Sequence, residues 1–421
     1  MSAAVRKKQK IVSLKKTAAY SNYKKQGKAK KSERQTVARQ AVSRTAAKPR
    51  ELTRHVKAKG TQTMQEQKAR MKKVKNNTGR IHLSQDIGID LGTSNIKVFV
   101  KGRGVVFNEP AVVALDKENN EVVAVGNAAR NMLKISPDKI EAVRPISGGV
   151  IADYDVAEKT LQYFIEQACG RNWIIKPRIM ICLPADATSV EEKAIRLSAL
   201  QSGARQAFLI DRAIAAGIGV GVDIHGASGN LIIDIGGGAT DIAVIALDGT
   251  VCGRTLRIGG ETFNNSIIKN ILHDHQILIG ESCAEAIKCA IGTAIITENN
   301  KKNSVKVTGT DTKTGQQRTI TYTAKECNNA LMEQLTVIVD AVNEVLEEIS
   351  PELAADIIAK GLILTGGSSR LNNIAMLLRR KTQLHVSLAE NPECSVGIGI
   401  GKALEMLGRI SSTGYYARGS L

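Results

Sequence analysis

Two stretches of this chain read alike. DIGIDLGTSNIKVFV at 86–100 and LIIDIGGGATDIAVI at 231–245 are each an apolar strand, an aspartate, a glycine-bearing turn with a threonine, and a second apolar strand. The two aspartates, Asp90 and Asp234, lie 144 positions apart. One such hairpin is an ordinary β-turn. Two of them, each opening a half of similar length, predict duplicated lobes that face one cleft. A tight glycine turn between strands exposes backbone N–H groups and hydroxyls, which cradle phosphate oxygens. Gly92, Thr93, Ser94 and Asn95 would form the first loop, and Gly236, Gly237, Gly238 and Thr240 the second. Together they would clamp a polyphosphate from both sides. Asp90 and Asp234, at the strand ends, would hold the waters of a Mg²⁺ ion, which takes few protein ligands.

A third glycine turn, LTGGSSR at 364–370, is expected to follow a strand and open a helix, with Gly366, Gly367 and Ser368 letting a nucleoside approach the backbone. The chain has neither a Walker loop nor a dinucleotide-binding glycine fingerprint. Short runs rich in Val and Ile predict strands at 86–91, 95–101, 105–115, 178–183, 231–235, 240–247 and 361–365. Helical periodicity predicts helices at 155–169, 188–202, 261–273, 281–292, 324–349 and 369–381. The alternation gives an α/β fold class. Thr188 and Glu191 have the spacing of a capping box, so Glu191 reads as a helix-start residue rather than a catalytic carboxylate.

Charge divides the chain. Residues 1–80 hold 25 Lys and Arg against three Asp and Glu, whereas the remainder holds 34 against 37. Residues 1–84 are therefore read as a basic, mostly disordered extension. It suits electrostatic contact with nucleic acid or an anionic membrane, and a plain solvated tail is the alternative. Met64 or Met71 could also begin a chain. The seven cysteines are odd in number with no C-x-x-C pair, which reads as reduced thiols. No apolar run is long enough to span a bilayer. The segment RNWIIKPR at 171–178 sets Trp173, Ile174 and Ile175 among Arg171, Lys176 and Arg178, a composition suited to a membrane interface.

Beyond single motifs, the chain resembles the actin and chaperone-ATPase superfamily, and within it the bacterial actins of the MreB/Mbl type. The resemblance is carried by DIGIDLGTSN (86–95), RPISGGVIADYD (144–155), LIIDIGGGATDIAVIALDG (231–249), RIGGETFNNSI (257–267), IGESCAEAIKCAIG (279–292), KGLILTGGSSRL (360–371) and GKALEML (401–407). It implies an actin-like (ribonuclease H-like) duplicated two-lobe fold around a nucleotide cleft. Lobe I would span 85–230 and lobe II 231–390, with 391–421 returning to lobe I as a helix and a short tail. It further implies ATP, with GTP as the alternative nucleotide, and Mg²⁺ as cofactors. Glu285 and Lys288 match positions that touch ribose and adenine, and Gly366, Gly367 and Ser368 the adenosine-side loop. Such proteins polymerise, bind the inner face of the cytoplasmic membrane through a loop placed like 173–175, and organise cell-wall elongation beside homologues and elongation proteins. A cytoplasmic, peripheral location follows.

Two departures from that pattern matter. Arg212 and Ala213 stand where a water-orienting Glu and a Pro are expected, and Ala239 replaces a Thr of the second loop. Arginine cannot orient water as a base and alanine has no hydroxyl, so weak or absent hydrolysis is expected, with Arg212 free to pair with the γ-phosphate. The competing readings are a DNA-segregation filament that uses the basic extension, a chaperone-type ATPase, and, more remotely, a small-molecule kinase of the same superfold. Only 14 residues follow Leu407, too few for a chaperone's substrate domain.

Overall fold

A computed structural model describes residues 86–135, 138–148, 150–169, 176–183 and 187–410. The basic extension and the segment Trp173, Ile174 and Ile175 lie outside the described residues.

The sequence repeat becomes a repeat of topology. The first five-stranded sheet is built from β1 (Ile87–Leu91), β2 (Asn95–Val100), β3 (Gly104–Pro110), β4 (Arg178–Leu183) and β5 (Gln206–Asp211), in the order β5-β4-β1-β2-β3. The second uses β6 (Asn230–Ile235), β7 (Thr240–Ala246), β8 (Gly249–Leu256), β9 (Leu362–Thr365) and β10 (Val386–Leu388), in the order β8-β7-β6-β9-β10. In both, a three-stranded antiparallel meander continues into two parallel strands. The register repeats as well: Asp90 lies opposite Lys97 in the first hairpin, and Asp234 opposite Asp241 in the second.

Strand alternation sends each sheet's side chains to two different cores. Ile87, Ile89, Leu91, Ile179 and Ile181 pack with residues of α1 (Tyr154–Cys169) and α2 (Ser189–Gln201). The capping box opens α2, with Thr188 and Glu191 each accepting from the other's backbone N–H. Leu231, Ile233, Ile235, Ile242 and Val244 form the other large core. Packed with them are residues of α4 (Gly260–His275), α5 (Glu281–Ile291), α6 (Ala324–Glu348) and α7 (Ile374–Thr382).

A third cluster joins the sheets. Met180 and Cys182 from the first and Ile232, Ala243 and Ile245 from the second pack on α3 (Arg212–Val220) and α8 (Ser395–Ile410). These two helices cross with almost no side chain between them. A β-carbon on Gly399 would lie 1.7 Å from the Ala215 carbonyl oxygen, and one on Gly219 1.9 Å from that of Ser395. Glycine is required at both positions because backbone meets backbone.

Two expectations need correction. The predicted strand 105–115 is two strands, β3 and a separate one at Val113–Asp116, because Pro110 ends β3 and the chain turns there. The predicted helix 369–381 is a 3₁₀ turn at Gly367–Arg370 followed by α7, separated at Asn373, whose φ is 63°.

Candidate functional site

The two glycine loops meet. A β-carbon on Gly237 would fall 2.0 Å from the Ser94 Oγ, and one on Gly238 2.3 Å from the Thr93 Oγ1. Only glycine lets the second loop come this close to the hydroxyls of the first. The third turn closes against them: Ser368 Oγ donates to the Gly236 carbonyl at 2.7 Å. Gly366 has φ of 89°, and a β-carbon there would strike the Ile235 carbonyl oxygen at 2.3 Å and Asp234 Oδ1 at 2.7 Å. Gly260, at the start of α4, adjoins Ser368 and Lys288. Lys288 Nζ donates to the Gly260 carbonyl at 3.1 Å and to Glu285 Oε2 at 2.7 Å. Asn264 Nδ2 donates to the same Glu285 oxygen at 2.7 Å. The residues predicted to take phosphate and adenosine thus surround one locus. Thr240 is the exception within its loop: it is fully buried and its hydroxyl donates to the Ile258 carbonyl at 2.7 Å, so it anchors the loop rather than presenting a hydroxyl.

Beneath the loops lies a buried charge cluster. Asp90, Asp234 and Asp241 are all at most 3 % exposed. Asp90 Oδ2 accepts from Lys97 Nζ at 3.2 Å, and its Oδ1 accepts from the Cys182 thiol at 3.2 Å with Arg212 Nη2 at 3.5 Å. Asp241 Oδ1 accepts from Thr255 Oγ1 at 2.7 Å, while its Oδ2 lies 3.7 Å from Arg212 Nε. Arg212 also reaches the Leu91 carbonyl at 3.5 Å. Burial alone would push the Asp90 carboxyl up, but Lys97 and Arg212 outweigh it and hold it below the usual value. Burial, only partly offset by Arg212 and reinforced by Asp241 and Asp90, lifts Asp234 to about 7. Burial also opposes the Arg212 charge, yet Cys182 and the acids around it raise its proton affinity above that of free arginine.

This arrangement bears on two expectations. Arg212 is engaged by Asp90 and Asp241 rather than free to take a γ-phosphate. The expected magnesium pair also fails to fit. Both oxygens of Asp90 are taken, whereas Asp234 Oδ1 is buried without a hydrogen-bond partner. A divalent cation would have to compete with two cations that belong to the protein.

Sequence reasoning did not single out Lys97, Asp241 or Asn264. The first two were legible as the cross-strand partners of the paired aspartates, since 97 and 241 are also 144 positions apart.

Comparison with known proteins places these features in a lineage. The family described as MreB/Mbl protein matches residues 84–412. The chain belongs to the MreB/Mbl family. Within the family, the cell shape-determining protein Mbl of Bacillus cereus is 43 % identical over 327 residues, covering 78 % of this chain and 98 % of that protein. The cell shape-determining protein MreB of Escherichia coli K12 is 44 % identical over 329 residues, covering 77 % and 94 %. The ADP-bound crystal structure of Spiroplasma citri MreB5 superposes with a TM-score of 0.73 at 31 % identity, covering 79 % of this chain and 99 % of that one. A MamK double helical filament gives 0.66 at 21 % identity, covering 77 % and 99 %, and shows the actin-like fold alone.

Proposed function

We propose that this chain binds an adenine nucleotide between its two glycine loops and polymerises into membrane-associated filaments that organise cell shape and wall elongation, with slow or no ATP hydrolysis. The observation that carries the reading is the contact of Gly237 and Gly238 with Ser94 and Thr93, which brings two phosphate-type turns from duplicated hairpins to one place. Relatives named as cell shape-determining proteins support the cellular role, and the MreB5 structures with ADP and AMPPNP support the nucleotide. Gly92 to Asn95, Gly236 to Gly238, Glu285, Lys288 and Gly366 to Ser368 are the residues assigned to it. Weak hydrolysis follows from Arg212, a cation already held by two carboxylates, and from Ala239, which offers no hydroxyl to water. Membrane attachment at the inner face rests on Trp173, Ile174 and Ile175. The basic extension supplies further contact with anionic lipid or nucleic acid.

The test is electron microscopy of the purified full chain with ATP, with and without anionic liposomes, alongside phosphate release. Filaments are expected with ATP, and phosphate release at background. Turnover that Asp90→Ala abolishes would overturn the hydrolysis claim. A chain that neither binds adenine nucleotides nor assembles would overturn the whole reading.

A further inference from the structure

The duplicated hairpins differ in one respect that bears on how a triphosphate is received. In the first, the buried aspartate faces a base: Asp90 lies opposite Lys97. In the second, it faces another acid: Asp234 lies opposite Asp241. Like charges directly opposite on an antiparallel pair repel, so the second hairpin needs a cation from elsewhere. Arg212, at the start of α3, reaches both hairpins, 3.5 Å from Asp90 and 3.7 Å from Asp241. Three buried carboxylates are thus matched by two cations whose side chains are each only 13 % exposed. At 3–4 Å in such surroundings each pair interacts far more strongly than it would in bulk water. Without Lys97 and Arg212 the cluster would set three buried carboxyl groups under the loops with no cation beside them. A polyphosphate could then be tolerated only beside a divalent ion. With them, most of the carboxylate charge is cancelled before any ligand arrives.

We propose that Lys97 and Arg212 take the place of a divalent cation at this site, so that the chain binds adenine nucleotide without magnesium. The inference rests on the nucleotide reading above. It assigns the two residues as charge-compensating, specificity-determining groups and gives them no part in bond breaking. The N–H groups of the glycine loops remain to meet the phosphates themselves.

The test is calorimetric titration of the purified full chain with ATP in excess EDTA and in millimolar Mg²⁺. The two affinities are expected to agree within about threefold, since the resident cations already supply the compensation. Lys97→Leu removes one of them and is expected to weaken binding at least about tenfold in EDTA, with Mg²⁺ restoring most of the loss. Arg212→Lys, which keeps the charge if the larger change unfolds the chain, is expected to retain binding in EDTA. Circular dichroism checks that each variant is folded. Wild-type binding that appears only with Mg²⁺ would overturn the inference while leaving the nucleotide reading intact. Absence of binding in both conditions would overturn both.

Discussion

Asp234 is buried, has one oxygen without a hydrogen-bond partner, and faces the carboxylate of Asp241. Replacing it with asparagine keeps its shape and removes its charge. Its folded carboxyl holds a proton up to about pH 7, whereas the ordinary value is 3.8. Between those values the folded state binds a proton that the unfolded state has released, so stability falls as pH rises through that window. The difference of about three pKa units corresponds to about 4 kcal/mol by pH 7, of which about 2.5 kcal/mol is lost between pH 5 and pH 8. Asp234→Asn removes this term. The assay is urea unfolding of the full chain and the variant in EDTA at several pH values, with the wild type subtracted from the variant at each. The subtraction isolates this carboxyl from the opposite contribution of Asp90, which is held below its usual value. The variant is expected to gain on the wild type by about 2.5 kcal/mol from pH 5 to pH 8. A flat difference would mean that Asp234 ionises normally and that the charge cluster is compensated in some other way.

Gly399→Ala would press a methyl group to 1.7 Å from the Ala215 carbonyl oxygen, and the α3–α8 crossing would have to open. The expected cost is about 3 kcal/mol in urea unfolding, and an unchanged midpoint would refute the close crossing. Gly238→Ala would meet Thr93 Oγ1 at 2.3 Å and is expected to weaken ATP binding about tenfold in calorimetry with little change in unfolding midpoint. Trp173→Ala with Ile174→Ala is expected to reduce co-pelleting with anionic liposomes. Unchanged pelleting would assign the attachment to residues 1–84.

Much of the fold is legible in local pattern. The hairpins at 90 and 234 announce themselves because a short apolar run, a strand-end aspartate and a glycine turn are all short-range features. The start of α2 is legible for the same reason, since a capping box spans four residues. The strand at 105–115 is harder to divide because apolar runs, Val105 to Phe107 and Ala111 to Leu115, flank a break of only three residues, Asn108, Glu109 and Pro110. The hairpin of Ser304–Asp311 and Gln317–Thr323 was missed, since its alternating Lys and Thr residues give little apolar signal. The short helix α3 was missed as well. Its run of Ala, Ile and Gly fits a buried strand end as well as a helix, and only its place between the two sheets decides the matter.

The site divides along the same line. The sequence alone determines which turns can approach a phosphate and that they come as a pair, because glycine's freedom and strand alternation act within a few residues. It also shows that arginine stands at position 212. What that arginine does is set by the tertiary structure, which brings it to Asp90, 122 positions earlier, and to Asp241, 29 positions later. Charge compensation depends on distance in space and on exclusion of water. Both come into being only when the sheets close on α3 and α8 and carry the three aspartates out of solvent.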